Sequence, residues 1–381
     1  MPDATIGWLR PMVETRNATG AAWRGSCAGA VRVALVGWFL LAGSSTSEAH
    51  SDGRLLLHDR ATGATAVARI EADATLALTT AAPLRAGARL GTPRHRVVAM
   101  PGGLFLNRLD HHGRAEGRLI RIWPDGTLDP GEAGAGCGLP AARLAASGPF
   151  LVCYGTDGSI AVGRPVAGGL IEEFRAPAGT LPRYTDLIRT ANHLVFWNRR
   201  SGALAVGQIS YDAASAQHYL EVTDTGAAAR RFQRIVAAAD DLLLYDPASG
   251  RYQSVRIEVS VVGRPGTPDR RFEARLRRGA VGRMAAGLSH AAAVGSAVVL
   301  YAGDGSYTAG RFDHRGRFDV RDTGTTLAGF DHLVAAGERL FFLDGGGTGR
   351  AMVGAVTQAG RYRALRVLKL GRYDRVLSSD W

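Results

Sequence analysis

The sequence predicts an all-β protein, a seven-bladed β-propeller of four-stranded antiparallel blades whose C-terminal strand supplies the first strand of blade one. Three observations predict it. A degenerate unit of about 40 to 50 residues recurs from residue 54 to the C-terminus, a period that belongs to propellers and solenoids. It is marked by an apolar run meeting a turn that starts with Asp or Asn and ends with Gly: LLLHDRATG at Leu55, LVFWNRRSG at Leu194, LLLYDPASG at Leu242 and LFFLDGGGTG at Leu340. Weaker copies at Phe150, Val298 and Leu104 bring the count to seven. The last unit resolves into four short segments, 330–337, 339–344, 351–358 and 361–370, most of them separated by Gly-rich turns, which reads as an antiparallel meander. The second segment is apolar on consecutive positions, as a strand buried on both faces must be, and this favours a blade over a solenoid coil. Finally, GRYDRVLSSDW after the last unit repeats the first-strand pattern of FDHLVAAG and FQRIVAAA. The first unit, 54–92, lacks that strand, so the C-terminal segment closes the ring and removes two exposed sheet edges.

Residues 1–49 stand outside the repeat. Arg10, Arg16, Arg24 and Arg32 precede the apolar run VALVGWFLLAG at 33–43, and small residues follow up to Ala49, the order of a signal peptide. A run of this length is too short to span a bilayer, so the mature chain, 50–381, is expected to carry no transmembrane span and to be secreted or periplasmic. Blades are expected near 93–141, 142–182, 183–229, 230–281, 282–328 and 329–371, with no linker between them. Two insertions interrupt the pattern: the hairpin holding His111 and His112 in blade two, and VSVVGRPGTPDRRFEAR in blade five, both read as loops.

Charge is the chain's other strong signal. The leader carries four Arg and three acidic groups, so its removal lowers the net charge only from +12 to +11. Lys369 is the sole Lys. A basic, Arg-rich surface suits acidic polysaccharide or another anion, whereas the absence of basic runs and of RNP, helix-turn-helix or zinc-finger spacings argues against nucleic acid. Cys137 and Cys153 are the mature cysteines; they either close a disulfide loop worth roughly 3 kcal/mol or are two buried thiols.

Aligned on the first strands, one column is polar in every blade: Arg96, Arg143, Asp186, Arg234, His290, His332 and Arg375. Because the first strand lines the channel, these residues are expected to ring its mouth and to favour a carboxylate, sulfate or phosphate. A wet channel entrance explains polarity there equally well. His290 and His332 on adjacent blades make a poor cation site among arginines, so neither metal nor cofactor is expected. A third-strand column, Arg69, Arg121, Arg164, Gln208, Arg256 and Arg311, broken by Ala355, is read as packing between blades. Asp59, Asn198, Asp246 and Asp344 open hairpin turns and lack the alternating carboxylates of a calcium loop. No GxSxG, HExxH or Walker loop is present.

The LLLYDPASG-like turns, each followed by a strand and a glycine hairpin, resemble those of lectin-type β-propellers, including the tachylectin-like and bacterial seven-bladed fucose-binding groups. That resemblance covers 50–381 and implies secretion and binding, with sugars held between blades against repeated aromatics. Here Trp123, Trp197 and Trp381 stand at non-equivalent positions. The reading that follows is a non-catalytic exported module binding carbohydrate or another anionic ligand at the channel mouth. Two alternatives stand beside it. One is a propeller enzyme such as a polysaccharide lyase or hydrolase, with His290 or His332 as base and Arg143 or Arg234 neutralising a uronate. The other is a protein-interaction scaffold.

Overall fold

A computed structural model describes residues 54–378 apart from positions 60, 61, 63, 82–94, 110–113, 124, 140–142, 213–216, 229–231, 264–270, 347, 372 and 374. The leader and the His111/His112 hairpin tip therefore lie outside the described residues. Every regular element among those described is a strand, in the order of short antiparallel meanders. The first comprises β1 (Arg54–His58), β2 (Thr65–Ile70) and β3 (Leu76–Ala81). The second comprises β4 (His95–Met100), β5 (Gly103–Leu109) and β6 (Ala115–Ile122), then the short β7 (Leu128–Asp129) and β8 (Ala133–Ala135). The third is β9 (Arg143–Ser147), β10 (Phe150–Tyr154), β11 (Ile160–Val166) and β12 (Gly169–Ala176). The fourth is β13 (Asp186–Arg189), β14 (Leu194–Trp197), β15 (Ala203–Asp212) and β16 (Gln217–Ala228). The fifth is β17 (Arg234–Ala238), β18 (Asp241–Tyr245), β19 (Arg251–Val262) and β20 (Arg271–Arg283). The sixth is β21 (His290–Val294), β22 (Ala297–Tyr301), β23 (Ser306–Phe312) and β24 (Phe318–Thr325). The last is β25 (His332–Ala336), β26 (Arg339–Leu343), β27 (Arg350–Val356) and β28 (Tyr362–Lys369), after which β29 (Arg375–Ser378) returns to the first.

That return is the C-terminal closure expected from the sequence: β29 pairs antiparallel with β1, Leu56 opposite Leu377 and His58 opposite Arg375, making a four-stranded sheet in the order β29-β1-β2-β3. The second strand of each meander is buried over most of its length because it is sandwiched between two neighbouring sheets; Arg54, Arg108 and Arg339, at strand ends, are only partly covered. Its residues alternate between two cores, as period-2 side chains require. Leu55 and Leu57 pack with Phe341 and Leu343 of β26, whereas Leu56 packs with Leu104 and Leu106 of β5. Leu194 and Phe196 face β10, and Val195 and Trp197 face β18. Each consecutive pair of meanders shares one such core, so stability is distributed around the ring.

The structure departs from the expected pattern in two places. In the second meander a regular fourth strand is replaced by β7 and β8, and β8 pairs with β6 and, in parallel, with β12, fusing the second and third meanders into one nine-stranded sheet. Glycine makes this possible: a methyl group on Gly134 would stand 1.5 Å from the Gly168 carbonyl oxygen. Cys137, just beyond β8, forms a disulfide with Cys153 of β10, with the two Cα atoms 6.3 Å apart. In the fifth meander the expected loop is largely strand. β19 runs to Val262 and β20 begins at Arg271 and continues to Arg283, two residues past the boundary at 281. The alternation of VSVV against RFEA, with Val261 opposite Phe272, sustains the ladder.

Candidate functional site

The polar column expected at a channel mouth lies at the starts of the first strands. Arg143, Asp186, Arg234, His290, His332 and Arg375 are each the first residue of β9, β13, β17, β21, β25 and β29, and Arg96 is the second of β4. β4 lies against β9, β9 against β13, β17 against β21, β21 against β25, and β25 against β29. The column thus shares one end of these strands. The direction of its side chains follows from strand period. Two residues further along stand Ala145, Ile188, Val236, Ala292 and Val334, each packed in the core shared with the following meander. The column residues project to the same side and lean towards the start of the next inner strand.

Their partners separate the ring into two parts. Arg143 Nε donates to the Thr185 carbonyl oxygen of the next meander at 2.9 Å. Asp186 is clamped by Arg199, whose Nε and Nη2 donate to its carboxylate at 2.7 and 2.6 Å, and Thr185 Oγ1 donates to it at 2.6 Å. This side of the mouth is therefore engaged in holding its own backbone and neutralising its own acid. On the other side, Arg234 and Arg375 make no hydrogen bond or ion pair among the described residues, and the Arg375 Nε is buried without an acceptor. Arg234 is exposed and Arg375 half-buried. Arg96 is exposed as well.

His290 and His332 join this open arc and are electrostatically linked. Burial pushes the His290 imidazole below its ordinary pKa, the neighbouring His332 and Arg234 push in the same direction, and only Asp331 opposes them. His290 is therefore a neutral imidazole at pH 7. The His332 Nε2 and the Asp331 carboxylate both lie against Gly345: an added methyl there would meet them at 3.0 and 3.3 Å.

Behind the column stands a second layer not anticipated from the sequence, the mouth-end residues of the second strands: Tyr154 opposite Arg143, Tyr245 opposite Arg234 and Tyr301 opposite His290. The signal was present in the runs FLVCY, DLLLY and AVVLY, each ending in Tyr. Asp331 and Arg199 were also missed, because each lies outside the column and meets it only through the packing of adjacent strands.

Of the third-strand arginines, Arg256 and Arg311 tie meanders together, whereas Arg69 and Arg164 pair with Glu71 and Glu173 of their own meanders. Arg256 forks Asp241 at 2.8 and 2.9 Å and reaches the His314 carbonyl oxygen; Arg311 donates to Ser296 Oγ at 2.7 Å and to the Gln358 carbonyl oxygen at 2.6 Å. The turn residues are occupied by their own backbone: Asn198 Oδ1 accepts from the Arg200 and Ser201 amides at 2.9 Å, and Asp344 Oδ1 from the Gly346 amide at 2.8 Å. Asp240 and Asp241 diverge, Asp240 towards His193 (3.1 Å) and Asn192 (2.9 Å) of the preceding meander, and Asp241 towards Arg256 of its own.

No protein-family model matches the sequence, and no curated protein matches it. Solved structures do resemble the fold. A 6-phosphogluconolactonase candidate of Bacteroides fragilis superposes with a TM-score of 0.55 and 13% identity, over 86% of this chain and 98% of its own. A second such candidate, from Bacteroides uniformis, has a TM-score of 0.53 and 12% identity over 85% of this chain and 98% of its own. The periplasmic gluconolactonase of Pseudomonas aeruginosa has a TM-score of 0.50 and 14% identity, with coverage of 85% and 98%. These structures carry lactonase names and not lectin names, and at such identities the likeness speaks of architecture alone: this chain is a β-propeller protein.

Proposed function

We propose that the chain is a seven-bladed propeller, exported through its leader, that binds an anionic ligand, carbohydrate or other, at the channel mouth formed by Arg96, Arg143, Asp186, Arg234, His290, His332 and Arg375. The observation that carries this reading is the division of the column: Arg234 and Arg375, with His290 and His332 between them, form an arc whose two guanidinium groups no carboxylate among the described residues neutralises. Guanidinium groups without a protein counter-ion attract and orient carboxylate, sulfate or phosphate. The disulfide fits an oxidising compartment.

The test is binding of the purified exported protein to acidic and neutral glycans, with Arg234→Ala and His332→Ala alongside. Acidic glycans are expected to bind selectively and both variants to weaken them at least about tenfold, the scale of one lost charge-assisted contact. Binding is expected to strengthen as pH falls from 8 to 5.5, because a bound anion favours the protonated imidazole that burial otherwise disfavours. Absence of binding to every acidic glycan sinks this reading and leaves a protein partner.

One observation favours a catalytic alternative. Burial keeps His290 a free base beside Arg234, the arrangement a general base next to an anion-holding group needs. Lactonase names among the similar structures make glucono-1,5-lactone the first substrate to try, in a pH-stat assay. Turnover abolished by His290→Ala selects this alternative over pure binding.

A further inference from the structure

The mouth is not symmetric, and its asymmetry identifies which part holds a ligand and what kind. Tyr154 and Tyr301 have matching duties: the Tyr154 hydroxyl donates to the Pro182 carbonyl oxygen and accepts from the Tyr184 amide, both at 2.7 Å, and the Tyr301 hydroxyl donates to the Leu327 carbonyl oxygen at 2.8 Å and accepts from the Phe330 amide at 3.4 Å. Each tyrosine thus anchors the segment that enters the next inner strand. Tyr245 occupies the same register in β18, opposite Arg234, and is only 2% exposed, yet its hydroxyl makes neither bond. The hydroxyl is not among the buried polar atoms left without a partner, so it reaches solvent at its tip, where a ligand can replace water as its hydrogen-bond partner. Burial pushes the Tyr245 phenol up to about 12, with Arg234 the one charge opposing it, so the hydroxyl stays protonated and both donates and accepts.

Around it the chemistry is mixed in a definite way. Arg234 offers a planar cation for one carboxylate. His290, held neutral, offers one N–H and one lone pair, which suits a hydroxyl group. Asp331, beside His332, repels a second negative charge on that side and accepts from hydroxyls. Across the mouth, Arg143 and Asp186 are already engaged with Thr185 and Arg199.

We propose that the ligand sits off-centre, in a sub-site formed by Arg234, Tyr245, His290, Asp331 and His332, and that this sub-site takes a polyhydroxylated monocarboxylate, a single sugar-acid ring. The carboxylate meets Arg234, and the ring hydroxyls meet Tyr245, His290 and Asp331. This inference rests on the mouth-binding reading above and narrows it.

Calorimetric titration of the exported protein with D-galacturonate and with cyclohexanecarboxylate tests it, since the two share one charge and a six-membered ring and differ in hydroxyls. The wild type is expected to prefer galacturonate at least about tenfold, because a site that hydrogen-bonds hydroxyls rejects an analogue lacking them. Tyr245→Phe is expected to remove most of that preference while leaving the cyclohexanecarboxylate Kd within about twofold, and Arg234→Ala to weaken both ligands. The phenylalanine variant loses no hydrogen bond to the described residues, so its unchanged thermal melt confirms that the fold is intact. A preference that survives Tyr245→Phe, or no preference in the wild type, overturns the sub-site. Retained binding of polygalacturonate with neither monomer bound also overturns it but leaves the mouth reading standing; loss of both removes the mouth reading itself.

Discussion

Ala239 shows how single residues carry the repeat. It has φ 53° in the turn between β17 and β18, where Gly148, Gly295 and Gly337, with φ of 54°, 57° and 59°, turn the corresponding hairpins. Only glycine takes this left-handed conformation without Cβ crowding, so alanine there stores roughly 1 kcal/mol. Ala239→Gly is expected to stabilise the protein by about 0.5 kcal/mol, net of glycine's extra freedom in the unfolded chain. Chemical denaturation measures this, and a destabilised variant shows that the turn needs its methyl group. The mouth column was legible at this scale because seven first strands place a polar residue at one offset. What the column does was not legible. Whether Arg143 or Arg234 is free depends on a backbone carbonyl from another meander, and whether Tyr245 is anchored depends on a segment some forty residues away.

At the scale of elements, apolar runs located the second strands because burial on both faces leaves few polar positions in them; His58, Asn107 and Asp241 are buried exceptions near the strand ends. The fusion of the second and third meanders was hidden. It arises where Gly134 and Gly169 let β8 and β12 approach, and neither glycine is distinguishable in sequence from the many that turn hairpins. The disulfide secures this junction: Cys137 and Cys153 are 1% and 0% exposed in one core with Phe105 and Leu151. Replacing both cysteines with alanine is expected to cost about 3 kcal/mol, the loop-closure term for a sequence separation of 16. Urea unfolding of the double variant reads the loss, and a stability equal to wild type removes the disulfide from any structural role. The extended hairpin of the fifth meander was read as an insertion because Gly and Pro at 263–267 dominate the local signal. Cross-strand pairs such as Val261 with Phe272 override it on either side.

The molecule as a whole is held by closure. β29 contributes Val376 to the core with Phe341 and Leu343, and Leu377 to the core with Leu104 and Leu106, so one short strand seals two interfaces. Ending the chain at Leu370 is expected to expose the edge of β1 with its three leucines, lower the melting temperature by more than about 5 °C and promote self-association. Thermal melts and size-exclusion chromatography decide; a monomer with the wild-type melting temperature shows that the ring does not depend on this strand.

The repeat period, the buried second strands, the closing C-terminal strand and the polar column were determined by the sequence itself. Each is a local pattern repeated often enough that its offset survives degeneracy. Tertiary structure alone decided the disulfide, the fused nine-stranded sheet and, above all, which members of the column are engaged. Those outcomes turn on contacts between different meanders, where twist and a carbonyl's position, rather than residue type, determine which guanidinium and which hydroxyl stay open.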